Sequence, residues 1–127
     1  MGKLRSYLRL GVVANEAVVT GQRKPVGYQQ ITGLVSAVKL TIPTQTTPGV
    51  QPGQSVQTVT TNIPVGFTIV QNSGTAAARW RDDGVAPTAS VGMVLNAGAE
   101  LDYAGDPANL QFIQAAAGAQ LEVSMYL

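Results

Sequence analysis

The residues best able to do chemistry lie together in the run Arg79-Trp80-Arg81-Asp82-Asp83-Gly84. Two adjacent carboxylates could act as an acid–base pair or bind a cation. On a strand, however, neighbouring side chains point to opposite faces, so Asp82 and Asp83 would not converge on one substrate atom. The run also lacks the alternating acidic residues and the distant glutamate of a calcium loop. The pattern therefore favours a turn after a strand, in which the two aspartates cap the backbone.

The chain lacks most of the residue types and motifs used for other catalytic or ligand-binding chemistry. The 127-residue chain has no histidine and no cysteine, which removes the usual general base and the commonest zinc ligands. None of its serines lies in a Gly-x-Ser-x-Gly context, and its glycines match no phosphate-binding loop. We therefore expect no enzymatic activity, no cofactor and no metal site.

The strand before this turn places Arg79 and Arg81 on one face and Trp80 on the other. Because Trp80 is the only tryptophan, it is predicted to be a core anchor. Glu100 and Asp102 share one face of a later predicted strand. If the two strands are neighbours, the four charges would form a cross-strand ladder of ion pairs.

The elements that position these residues are short strands. After Pro64, apolar and β-branched runs alternate with turn signals about every 8–12 residues, which predicts an all-β fold. The expected architecture is an antiparallel β-sandwich of jelly-roll type. It occupies residues 28–127, with a half-buried strand at 34–42. Residues 43–64 form an excursion from the core, either a loop or a hairpin.

The N-terminal residues 1–27 are predicted to be an extended arm. Residues 1–39 carry six basic residues and one acidic residue, a net charge of +5, whereas the rest carries two basic and six acidic residues, a net −4. Charged residues make up 12% of the chain, against a usual share of about 25%, so much of the surface is expected to face other protein. The candidate interaction residues are Arg5, Arg9, Arg23, Lys24, Arg79 and Arg81.

The sequence also bears on location. No stretch approaches the ~20 apolar residues of a membrane span, and the first apolar run is too short for a signal peptide. Synthesis and retention in the cytoplasm are expected. Nucleic acid is not an expected partner, because the basic N-terminal segment has no interleaved aromatic residue other than Tyr7.

Residues 28–42 and 67–127 resemble a group of small virion-associated proteins of tailed bacteriophages and prophages. The resemblance is carried by GYQQITGLVSAVKLTIP and FTIVQ, then by ARWRDDGVAPTASVGMVL, ELDYAGD, LQFIQ and AQLEVSMYL. Its most specific part is Arg79 to Gly84 followed by Pro-Thr-Ala-Ser. The excursion at 43–64 is longer than the corresponding connection in that group of proteins.

The resemblance implies a non-enzymatic structural role in the virion. The favoured interpretation is a capsid decoration, or cement, protein that binds the major capsid protein and stabilises the shell. A homo-oligomer, either a trimer or a dimer, is expected. One alternative is a neck, collar or tail component that binds other virion proteins. A second alternative is a carbohydrate- or receptor-binding β-sandwich module, which would need several exposed aromatic residues.

Overall fold

A computed structural model describes residues 23–49, Gly53 and residues 57–127. Within these residues the fold is all-β, and its one helical element is a 3-10 turn at Pro107–Asn109. The strands are β1 (Pro25–Ile31), β2 (Val38–Lys39), β3 (Thr44–Gly49), β4 (Gln57–Asn62), β5 (Phe67–Asn72), β6 (Ala78–Arg81), β7 (Met93–Leu95), β8 (Glu100–Tyr103), β9 (Gln111–Gln114) and β10 (Leu121–Tyr126).

Eight of these strands form two four-stranded sheets. The first sheet has the order β1-β10-β5-β8 and the second has the order β2-β9-β6-β7. Every pairing between the described strands is antiparallel. The all-β class and the antiparallel sheets predicted from the sequence are thus confirmed.

One hydrophobic core lies between the two sheets. The first sheet contributes Val70 and the alternating residues Leu121, Val123 and Met125, and the second contributes Phe112, all of them at most 1% exposed. Burying each such side chain stabilises the fold by roughly 1.5–3 kcal/mol. The intervening residues of β10 point outward and are only half-buried. The alternation of apolar and polar residues in the sequence therefore matches the alternation of buried and half-buried side chains in the strand.

The segment 34–42, predicted as one strand, pairs over a much shorter length. Only Val38–Lys39 pairs with β9, and the chain bends at residues 35–36. Leu34 and Leu40 are nevertheless 0% and 5% exposed. The apolar side chains reach the core as predicted, while the bend removes most of the main-chain pairing.

The first strand begins two residues before the predicted end of the arm, at Pro25. Residues of β1 from Pro25 onward pair with β10, with an irregularity between Pro25 and Gly27. Proline and glycine predicted a break here, but both are tolerated because β1 lies at the edge of its sheet. Residues 1–22, which make up most of the predicted arm, lie outside the described residues.

The excursion at 43–64 contains a hairpin. Strands β3 and β4 pair from Thr44 with Asn62 to Gly49 with Gln57, and they belong to neither four-stranded sheet. Main-chain N–H of Ile63 donates to the carbonyl of Pro43 at 2.8 Å and closes the base. Nearly all described side chains of the hairpin are exposed, so it contributes little to the core.

Candidate functional site

The two arginines of β6, Arg79 and Arg81, bond to different partners. The guanidinium of Arg79 donates to the carbonyls of Ala89 and Gly92, at 3.2 and 3.0 Å from Nε and Nη1. It therefore fixes the loop between β6 and β7. Arg81 instead forms an ion pair with Asp83, with Nε 3.0 Å from Oδ1.

The Arg81–Asp83 pair spans the turn that follows β6. Its hydrogen bonds lower the pKa of Asp83 and raise that of Arg81. The two side chains are 28% and 53% exposed, so water and salt screen the pair. Asp83 also accepts from the main-chain N–H of Val85, as expected for an aspartate that caps a turn.

The predicted charge ladder is not formed. Glu100 and Asp102 lie on β8, which pairs with β5 in the first sheet, whereas Arg79 and Arg81 lie on β6 in the second sheet. The prediction is wrong because alternation along a strand says nothing about which strand lies beside it. Glu100 and Asp102 instead repel each other, and the pKa of Glu100 is raised by its hydrogen bond and charge interaction with Asp102.

Trp80 links the two sheets at the margin of the core. It is half-buried and packs against the core cluster, in which Phe112 is the largest fully buried side chain. Its ring meets that of Tyr103 edge-on, with centroids 6.3 Å apart and planes at 73°. The Tyr103 hydroxyl donates to Asp82 Oδ2 at 2.9 Å. Burial, followed by this bond to Asp82, raises the pKa of Tyr103 to about 12.

The densest polar cluster lies on the outer face of the first sheet and was not predicted. Glu122 accepts from Gln30, Ser73 and Gln120 at Oε2, at 2.9, 2.8 and 3.0 Å, and from the Tyr28 hydroxyl at Oε1. These bonds, with that from Gln30 the strongest influence, lower the pKa of Glu122 to about 2. Because both oxygens are already bonded, this carboxylate cross-links β1, β10 and the turn after β5 rather than offering a free acceptor to a ligand.

A second unpredicted cluster surrounds Asn72, whose side chain is 0% exposed. Its Nδ2 donates to the carbonyls of Ala76 and Leu95, at 2.8 and 3.0 Å. Its Oδ1 accepts from the main-chain N–H of Gly74 at 3.0 Å and, more weakly, from that of Gln120 at 3.5 Å. The amide thus ties β5 to the next turn, to the end of β7 and to the start of β10.

The other described candidate interaction residues, Arg23 and Lys24, precede β1 and lie at the first sheet, not on β6. The Arg23 guanidinium lies 4.7 Å from the centroid of the Phe67 ring, in a cation–π contact at the end of the first sheet. Lys24 is exposed and its carbonyl accepts from the N–H of Leu127. Arg5 and Arg9 lie outside the described residues.

A groove of about 430 Å³ separates the base of the hairpin from the loop after β8. Its walls include Ile42, Pro64, Val65 and Pro107, and Asp106 is its only ionisable residue. Among the described residues no three His, Cys, Asp or Glu side chains are grouped so as to hold a metal ion. No helix in that part of the chain has the length and apolarity to cross a membrane.

Comparisons with protein-family models, curated proteins and solved structures find no match to this chain.

Proposed function

We propose that this protein is a virion structural protein of a tailed bacteriophage, and that it decorates the capsid. The resemblance carried by residues 28–42 and 67–127 supports the first part of the proposal. The strand order of the sandwich supports it independently, and it is the observation on which the proposal chiefly rests.

With the hairpin set aside, the eight sandwich strands pair from the outside inwards. The first strand along the chain pairs with the last (β1 with β10), and the second with the second-last (β2 with β9). The two inner pairs are β5 with β8 and β6 with β7. A chain that pairs in this nested way and then rolls into two sheets has the topology of a jelly roll. We therefore propose a jelly roll, an architecture that recurs in viral capsid proteins and lectins.

The surface of the sandwich suits contacts with protein. Residues 40–78 contain no charged side chain, and this stretch includes the exposed hairpin β3–β4. An isolated two-stranded hairpin is only marginally stable in water, so it would gain stability from a neighbour that covers it. A protein that binds only the assembled shell stabilises the shell by mass action, which is the mechanism we propose for the decoration protein.

A sugar-binding role receives less support. Tyr28 is 66% exposed, but its hydroxyl is already bonded to Glu122. The other described aromatic residues, Phe67, Trp80, Tyr103, Phe112 and Tyr126, are half-buried or buried. They do not form the exposed aromatic platform that such a site would require.

The copy number in purified particles tests the proposal. Quantitative mass spectrometry of phage particles produced by the encoding genome should find hundreds of copies, in keeping with the repeated symmetry of a shell. About a dozen copies would place the protein at the neck or tail instead, and its absence from particles would overturn the virion role.

A reconstitution experiment tests the mechanism. Particles assembled without the protein should release DNA at a lower temperature than complete particles, and adding the purified protein should restore the higher temperature. Unchanged release temperatures would show that the protein does not stabilise the shell.

A further inference from the structure

Three of the four edges of the two four-stranded sheets carry features that oppose pairing with another strand. The edge strand β8 exposes Glu100 and Asp102, and the edge strand β2 is two residues long and includes Lys39. The edge strand β1 begins with Pro25 and has an irregular register there. Charges, prolines, bulges and short strands are the usual means by which proteins keep sheet edges from associating.

The fourth edge, β7, is also short, at three residues, but it has no charge, no proline and no register irregularity. Residues 84–99, which include β7 and the loops on either side of it, contain no charged side chain and no proline within the strand. Four of the eight exposed large apolar side chains of the described chain lie here: Val85 (51%), Val91 (51%), Met93 (60%) and Val94 (51%). We call these four side chains and the free edge of β7 the β7 edge surface.

The neighbouring arginine is held by the main chain of the loop before β7. Arg79 lies opposite Val94 on β6, but its guanidinium is bound to the carbonyls of Ala89 and Gly92. Those bonds also hold the loop that presents Val91. No described strand pairs with the outer side of β7, so this edge is open to another strand, although the carbonyl of Leu95 already accepts from Asn72.

We propose that the β7 edge surface binds a second copy of this chain, edge to edge, about a two-fold axis. Two-fold symmetry makes β7 and its counterpart antiparallel, so the two second sheets join into one eight-stranded sheet. Val94 is the middle residue of β7 and then lies opposite its own counterpart, with Met93 opposite Leu95. The residue on the axis meets its own copy, and therefore an uncharged residue there, such as Val94, avoids like-charge repulsion.

A second copy is favoured over a different protein by this neutrality. The strand itself carries no charge, so at the axis it meets only apolar side chains of its own kind. The charged residues Arg81, Asp82 and Asp83 lie beside Val91 and Met93 at one end of the surface. The paired strands are short, so the interface is small and a dissociation constant on the order of micromolar is expected. The inference does not depend on the virion role, since it concerns the purified protein alone.

Sedimentation of the purified full-length chain and of two charge variants tests the proposal. The wild type should pass from monomer to dimer between micromolar and millimolar concentrations. Val94→Glu and Val94→Lys should each weaken the dimer at least tenfold, because like charges meet at the axis. An equimolar mixture of the two variants should restore a dimer that weakens as salt is added, unlike that of the wild type.

The matched control is Val59→Glu, which adds the same charge at a valine of similar exposure, 49% against 51%, on the hairpin. It should dimerise as the wild type does, and circular dichroism should show all variants folded. A monomeric wild type, a dimer that survives both Val94 variants, equal loss in the control, or a mixture that stays monomeric would each overturn the proposal. None of these outcomes would bear on particle binding, which is measured separately.

Discussion

Replacing Asn72 by alanine should be among the most damaging single changes in the sandwich. Asn72 is one of the two fully buried polar residues of the described chain, and its amide makes three hydrogen bonds of 3.0 Å or less. Alanine leaves the carbonyls of Ala76 and Leu95 and the N–H of Gly74 without these partners. It also leaves a small cavity at the end of β5.

The expected loss of unfolding free energy follows from how deeply each hydrogen bond is buried. The bond to the carbonyl of Leu95 is buried, and losing it should cost about 2 kcal/mol. The bonds to Ala76 and Gly74 are part-buried, and water can replace them in part, so about 1 kcal/mol each is expected. The sum, about 4 kcal/mol, is a large fraction of the 5–15 kcal/mol that stabilises a typical domain.

Urea denaturation followed by circular dichroism measures this loss. With a slope of about 1.5 kcal/mol per molar urea, the midpoint should fall by more than about 2 M. Asn109→Ala, at an exposed asparagine, is the control and should change stability by no more than about 0.5 kcal/mol. A loss below about 1 kcal/mol for Asn72→Ala would refute the argument.

The variant Asn72→Asp tests whether stability rises or falls as the pH is lowered. Asn72→Asp keeps one oxygen for Gly74 but turns the other towards the carbonyls of Ala76 and Leu95. A carboxylate there is buried beside acceptors, so its pKa should be raised and the variant should become more stable as the pH falls. Stability that instead falls with pH, as a paired carboxylate would give, would contradict the assigned orientation of the amide.

Three further changes test other parts of the structure. Thr68→Val should raise the unfolding free energy by about 1 kcal/mol in urea melts, because the buried Thr68 hydroxyl has no hydrogen-bond partner among the described residues; a decrease would show that the hydroxyl is bonded. The pKa of Glu122 is lowered from 4.5 to about 2, so the stability that its ionised form contributes is complete above pH 4.5 and is lost as the pH falls towards 2. Glu122→Gln should therefore show a smaller fall in melting temperature over that window, with a residual fall from Asp83, whose pKa is also lowered; an unchanged slope would exclude the network. Trp80→Ala should cost about 2 kcal/mol, less than the 3–5 kcal/mol of a fully buried aromatic, because Trp80 lies half-buried against Tyr103; a loss under about 0.5 kcal/mol would mean that this contact does not stabilise the sandwich.

The strands that are easiest to find in the sequence are those with one buried face. β10 alternates clearly because Leu121, Val123 and Met125 enter the core. β1 and β3 were not predicted as strands for opposite reasons. β1 begins with proline and glycine signals that an edge strand tolerates, and β3 belongs to an exposed hairpin whose two faces are equally polar.

The polar clusters could not be predicted from the sequence because their members are far apart along the chain. Tyr28 and Glu122 are separated by 94 residues, and only the pairing of β1 with β10 brings them together. Asn72 gives no signal of its own, since an asparagine before Ser-Gly is as typical of an exposed turn as of a buried cross-link.

The amino-acid sequence by itself determined the all-β class, the side of each well-patterned strand that faces the core and the uneven distribution of charge. These properties depend on local sterics and on the two-residue repeat of a strand, which adjacent residues specify between them. Only the tertiary structure decided which strands are neighbours. It placed Glu100 and Asp102 beside β5 instead of the arginines of β6, and it left β7 as an uncharged edge. Strand pairing depends on the free energy of the whole sandwich, summed over contacts between residues far apart in the chain, and no local pattern encodes that sum.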